Sequence, residues 1–169
     1  RPCGPVRDRE AAQRVLERLS EAAEAQGWSE RLNQAWPALE PVFAASGYLA
    51  GIARRWPERL RQILDSAPEV RLAEILAATD ALCGPPDEAK APLRHLKAEL
   101  HLLTALADLG GVWNLDQVTG AISRFADATA QAALRCVSSE FRRRGKLTTL
   151  EDDPRGPVPG LFVLAMGKG

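Results

Sequence analysis

Between positions 93 and 107 the apolar residues Leu93, Leu96, Leu100, Leu103 and Ala107 step by 3, 4, 3 and 4. That rhythm follows the 3.6-residue turn of an α-helix and lays one apolar stripe along one side of it. A strand, whose side chains alternate every two residues, has no use for the pattern. Ala, Leu, Glu and Arg, all strong helix formers, dominate the rest of the chain, and aromatic residues make up only 5%. The sequence therefore predicts a mainly α fold, a helical bundle. At 169 residues such a chain can bury a core without metals or disulfides.

Local signals set the helix boundaries. Asp8 is placed to cap a helix running to about Gln26, with Gly27 as its stop and Val15, Leu16, Leu19 and Ala23 on its apolar face. Short helical pieces follow over 37–45, 46–55 and 57–65; Ser46 caps the second and Pro57 suits the first turn of the third. Ser66 and Glu69 have capping-box spacing, predicting a helix to about Leu82. Cys83-Gly84-Pro85-Pro86 breaks the chain, and Asp87 can cap the long helix that ends at Gly110 and Gly111. The last helix has Asp116 near its start, Arg142 to Arg144 at its end, and Val118, Ile122, Phe125, Thr129, Ala133, Cys136 and Val137 on its expected inner face. A short loop makes it the antiparallel partner of the helix before it.

After Gly145 the character changes. Residues 146–160 carry three prolines, two glycines and an acidic Glu-Asp-Asp cluster, which reads as a linker. Residues 161–165, Leu-Phe-Val-Leu-Ala, form a short apolar run consistent with a buried strand. One strand makes no sheet, so its partners are expected beyond Gly169 or in another chain. The expected organisation is a helical region over 1–145, a linker over 146–160, and the first strand and glycine turn of a truncated α/β domain over 161–169.

Several function classes fall away on chemistry. Lys plus Arg and Asp plus Glu both number 22, so a net charge of zero argues against a nucleic-acid coat. The longest apolar run, 161–166, is far short of the ~20 residues that span a membrane. Nor do the first residues hold an apolar signal core. Three scattered cysteines read as thiols in a reducing cytoplasm, and none lies near a histidine with zinc-ligand spacing. His95 and His101 are six apart, off the i,i+4 spacing of a helical ligand pair, and read as solvated positions. No Ser or Cys sits in a recognisable nucleophile arrangement. Asp152 and Asp153 lie in the linker without a rigid scaffold for metal, and Arg142 to Arg144 read as a solvated basic helix end. Trp28, Trp36, Trp56 and Trp113 fall at segment junctions, where interhelical packing explains them. Gly167-Lys168-Gly169 follows the expected strand as a phosphate-approaching turn can, but it lacks the P-loop spacing, with Phe at 162 and Gly after the lysine; from the pattern alone it reads as a turn with an exposed lysine.

Four stretches in order resemble one family. Ser46-Gly47-Tyr48-Leu49-Ala50 with Trp56-Pro57-Glu58-Arg59-Leu60 is similar to its Ser-Pro-Phe-Leu-Ala…His-Pro-Glu-x-Leu pattern. Leu93-Arg94-His95-Leu96-Lys97, continuing to Ala105-Leu106-Ala107-Asp108-Leu109, resembles its Leu-Arg-x-Phe-Arg…Ala-x-x-Asp-Leu helix. Val118-Thr119 through Ser123, Phe125-Ala126-Asp127 and Ala132-Ala133-Leu134 parallels the helix after it. Phe162-Val163-Leu164-Ala165-Met166-Gly167-Lys168 resembles its Val-Leu-Gly-Met-Gly-Lys-Leu-Gly-Gly strand and turn, with Ala165 in place of the first glycine and Gly169 in place of leucine.

The family is the bifunctional glutamine synthetase adenylyltransferase/adenylyl-removing enzyme, of the nucleotidyltransferase superfamily, and the likeness covers about residues 40 to 169. It implies an enzyme that attaches AMP from ATP to a tyrosine of glutamine synthetase and removes it by phosphorolysis to ADP. It also implies a PII-type signalling protein as a further partner, and Mg²⁺ held by an Asp-x-Asp pair, since paired carboxylates hold ions that neutralise phosphoryl charge. That pair is expected beyond Gly169, so the chain is expected to be an inactive N-terminal part of the adenylyl-removing half. Of its residues the resemblance assigns only Gly167 and Lys168 to the nucleotide-proximal turn. The rival readings are a helical docking or scaffold module without chemistry, and a nucleotidyltransferase modifying a signalling protein.

Overall fold

The computed structural model describes residues 2–147 and 163–164, and within them the regular structure is entirely helical. Seven helices follow one another: α1 (Arg9–Gln26), α2 (Ser29–Ala45), α3 (Gly47–Arg55), α4 (Pro57–Asp65), α5 (Pro68–Asp80), α6 (Pro86–Leu109) and α7 (Leu115–Arg143). α1 packs on α2, α6 on α7, and α5 lies against both α6 and α7; the short α3 and α4 bridge the two groups. Phe43, Leu19, Leu32, Leu60, Ile75, Leu100, Leu102 and Leu103 are among the largest side chains fully enclosed between them.

The ends of α1, α3 and α4 form as their local signals predict. The Asp8 carboxylate accepts from Ala11 N at 2.8 Å, and Gly27 closes α1 with φ +72°, a left-handed conformation that favours glycine. Ser46 Oγ accepts from Leu49 N at 3.3 Å at the start of α3, and Pro57 opens α4. The α6 seam holds: Leu96, Leu100, Leu103 and Ala107 are buried and Leu93 is half-buried.

Elsewhere the structure corrects the expectation. α2 starts at Ser29, eight residues before Pro37, and carries Pro37 and Pro41 within it. Each proline removes one intrahelical donor, but burial of Leu32, Leu39, Val42 and Phe43 keeps the helix continuous. α5 is capped by Ala67 without a side-chain bond, and the Ser66–Glu69 capping box does not form; the Glu69 carboxylate instead accepts from Trp113 Nε1 at 2.6 Å. α6 is entered through Pro85 and Pro86, with Asp87 in the first turn pairing with Lys90 at 2.6 Å. α7 is capped by Asn114, which forms a capping box with Gln117. Its buried stripe is Ala121, Phe125, Ala132 and Cys136, whereas Ile122, Ala133 and Val137 face outward. Two neighbours, α5 and α6, set that face, and a reading against α6 alone rotates it.

Of the expected strand, 161, 162 and 165 lie outside the described residues; Val163 and Leu164 are in no strand and are exposed.

Candidate functional site

α1, α3, Trp56 and Ala98 of α6 border a cleft of about 760 Å³. Arg14 and Arg18, one turn apart on α1, form one wall; Arg54 and Arg55 stand at the end of α3; Tyr48, Trp56 and Ile52 supply apolar surface, and Gly47 and Gly51 the bare face of α3. No Asp or Glu lines it.

The guanidinium groups differ in their surroundings. Arg14 pairs with Glu10 at 2.6 Å and Arg18 with Glu21 at 2.8 Å, both on the exposed surface of α1, where such pairs contribute well under about 1 kcal/mol. Arg55 lies over the Trp56 ring, 5.5 Å from its centroid. Both Arg54 and Arg55 sit in the last turn of α3, where positive charge complements the helix dipole.

The α3–Trp56 and α6 segments meet in this region. His95 of α6 packs on Trp56 with ring centroids 5.0 Å apart, and His101 Nδ1 is hydrogen-bonded to the Tyr48 hydroxyl at 2.8 Å. The solvated reading holds for the exposed His95; His101 is half-buried and partnered. Burial, and secondarily the Lys97 charge, lower its pKa, which keeps the ring neutral and able to accept the Tyr48 O–H. A second cluster joins α4, α5 and α6. The enclosed Glu99 of α6 accepts from Arg59 of α4 at 2.5 Å and from Arg71 Nε of α5 at 2.5 Å. Arg71 also reaches Glu74 at 2.6 Å and Gln62 at 2.7 Å. The donors and carboxylates are matched, as burial of charge requires.

Other sequence-level candidates are placed as follows. Gly167, Lys168, Asp152 and Asp153 lie outside the described residues. Trp28 and Trp113 are buried, and Trp36 and Trp56 pack against the core. Arg143 and Arg144 both donate to Glu140, so part of the basic end of α7 is neutralised within its own helix. Among the described residues no three His, Cys, Asp or Glu side chains are grouped to hold a metal ion. Sequence reasoning missed the four-arginine cleft and the Glu99 cluster. The available signal was Arg14 and Arg18 at i,i+4, repeated by the spacing of Gly47 and Gly51; nothing local links those two pairs.

The sequence profile of the glutamate-ammonia ligase adenylyltransferase family matches residues 36–169. The bifunctional glutamine synthetase adenylyltransferase/adenylyl-removing enzyme of Caulobacter vibrioides is 54% identical over 170 residues, covering 99% of this chain and 17% of that protein. The enzymes of the same name from Rhodopseudomonas palustris and Bradyrhizobium diazoefficiens are 42% and 43% identical over 78% and 73% of the chain, which correspond to 14% and 13% of their lengths. The chain thus spans less than a fifth of the relatives it matches. No solved structure matches it.

Proposed function

Because the chain belongs to the glutamate-ammonia ligase adenylyltransferase family, we propose that it serves as the helical portion of a longer enzyme that controls glutamine synthetase by adenylylation. The reaction is transfer of AMP from ATP to a tyrosine hydroxyl with release of pyrophosphate, and phosphorolytic removal of the same group as ADP, which restores the hydroxyl. The observation that carries this reading is 54% identity along almost the whole chain to an enzyme of that name. Glutamine synthetase is then the protein substrate and a PII-type protein the regulator, in the cytoplasm.

In this proposal residues 2–147 supply no step of the transfer. The resemblance supports Gly167 and Lys168 as the turn beside the nucleotide, with Mg²⁺ held by carboxylates beyond Gly169, where it would neutralise phosphoryl charge. The contribution of the described helices is mechanical: the Arg59–Glu99–Arg71 cluster fastens α4, α5 and α6 into one support.

The test uses the full-length parent enzyme with and without residues 2–147, assayed for AMP attachment to glutamine synthetase and for phosphate-dependent AMP removal. Loss of removal with attachment retained supports assignment to the adenylyl-removing half, and the retained activity shows that the shortened enzyme folds. Loss of attachment alone reverses that assignment. Full retention of both activities overturns the proposal.

A docking module without chemistry is the second reading. It is favoured by an apolar strip on the outer side of α7, where Leu115, Ile122, Val137 and Phe141 are exposed. It predicts no Asp-x-Asp within about 10–20 residues after Gly169 in the parent sequence.

A further inference from the structure

Gly51 lies inside α3, where alanine is the better helix former. A Cβ added there would meet no atom within 4 Å, and the residue does not have a positive φ. The same is true of Gly47, one turn earlier. The fold therefore does not require glycine at either position. Their effect is to leave the α3 backbone bare along one side of the cleft, so that another molecule can approach it closely.

What surrounds that bare face is cationic. Arg14 and Arg18 flank it from α1 and Arg54 and Arg55 from its own last turn; no carboxylate lines the cleft itself, and Glu21 lines the adjoining hollow with Arg18, Arg54 and Arg55. Glu10 and Glu21 pair with the α1 arginines, while Arg54 has no carboxylate partner among the described residues. Tyr48 is 57% exposed. Guanidinium forks in this number suit a multiply charged oxyanion, which they can meet with paired N–H donors. At about 760 Å³ the cleft also exceeds what a phosphate group alone would fill.

We propose that the α1–α3 cleft binds a phosphate-bearing small molecule of nucleotide size. The phosphate lies among Arg14, Arg18, Arg54 and Arg55, and the rest of the ligand covers Gly47 and Gly51 beside Tyr48. This site is separate from the Gly167–Lys168 turn and stands independently of the adenylylation reading, because it rests on the cleft alone.

Calorimetric titration of the full 169-residue chain with ATP, AMP, inorganic phosphate and adenosine tests it. ATP and AMP bind saturably, inorganic phosphate binds more weakly, and adenosine does not bind. The double variant Arg54→Ala, Arg55→Ala weakens AMP binding by about tenfold or more. Gly51→Leu blocks the floor and abolishes AMP binding without lowering the thermal midpoint, while Gly51→Ala, which adds a single Cβ in open space, keeps the fold and serves as the control for helix integrity. Absence of saturable binding by every phosphate compound overturns the proposal, as does wild-type affinity in both Gly51→Leu and the double arginine variant. Equal affinity for inorganic phosphate and AMP overturns the nucleotide-sized reading.

Discussion

Arg71 and Glu99 lie 28 residues apart in sequence and are joined inside the bundle, with the Glu99 side chain wholly enclosed and that of Arg71 only 10% exposed. Arg59 completes the arrangement from a third helix. Glu99→Ala removes one of the two carboxylates that hold the enclosed Arg71, leaving it Glu74 alone, and is expected to cost about 3 kcal/mol. Glu99→Gln keeps the shape and an acceptor and should cost less. Urea unfolding of both variants checks this; a loss below about 1 kcal/mol for the alanine variant would mean that the pair is screened like a surface one.

Two glycines should respond in opposite directions to the same change. Gly27→Ala forces a side chain into the left-handed region at φ +72° and is expected to destabilise by about 1–2 kcal/mol. Gly51→Ala meets open space in a helix interior and is expected to stabilise by about 0.5–1 kcal/mol. Thermal midpoints of the two variants decide it.

Asn114 and Gln117 satisfy each other's backbone donors at 2.9 and 3.0 Å at the head of α7. Asn114→Ala should lower stability by about 1 kcal/mol. Amide hydrogen exchange should rise first in the opening turn of α7 and leave the middle of α6 unchanged.

This cap also marks the limit of what could be read from sequence. Asp8, Ser46, Pro57 and Gly27 act on residues within one turn, so the boundaries they set were legible. The start of α2 was not, because Pro37 carries the local signature of a first helical residue, and only burial of Leu32 and Leu39 on either side of it reveals a continuous helix. Glu69 was misassigned for the same kind of reason: its partner, Trp113, lies 44 residues away. The outward turn of Ile122 depends on α5, and the cleft joins Arg14 to Gly47 across an intervening helix. Such pairings are properties of packing, which local periodicity does not encode.

Glu140 accepts from Arg143 and Arg144, and these hydrogen bonds lower its carboxyl from the ordinary 4.5 to about 2. Because the folded value is depressed, the stabilisation is fully present above about pH 4.5 and fades as the pH falls through about 2. A carboxyl-carbon NMR titration should place the Glu140 midpoint near the lower figure. A midpoint at the ordinary value would show that the three side chains are apart in solution.

Cys3 and Cys83 are exposed and Cys136 is buried, with burial pushing the Cys136 thiol up. An aromatic disulfide reagent should therefore label two thiols promptly in the native chain and the third only on unfolding. Prompt labelling of Cys136, confirmed by mass spectrometry, would show that α7 separates from α5 without global unfolding.

α7 runs for 29 residues without a proline, so its two ends are about 43 Å apart. α5 and α6 hold it at Ala121 and Phe125 near its start and at Ala132 and Cys136 further along, so any tilt moves the helix as a whole. A tilt of about 5° pivoting about its Asn114 end would carry the Arg143 end through about 4 Å. Small adjustments at the bundle would thus become large displacements of whatever is attached past Arg143.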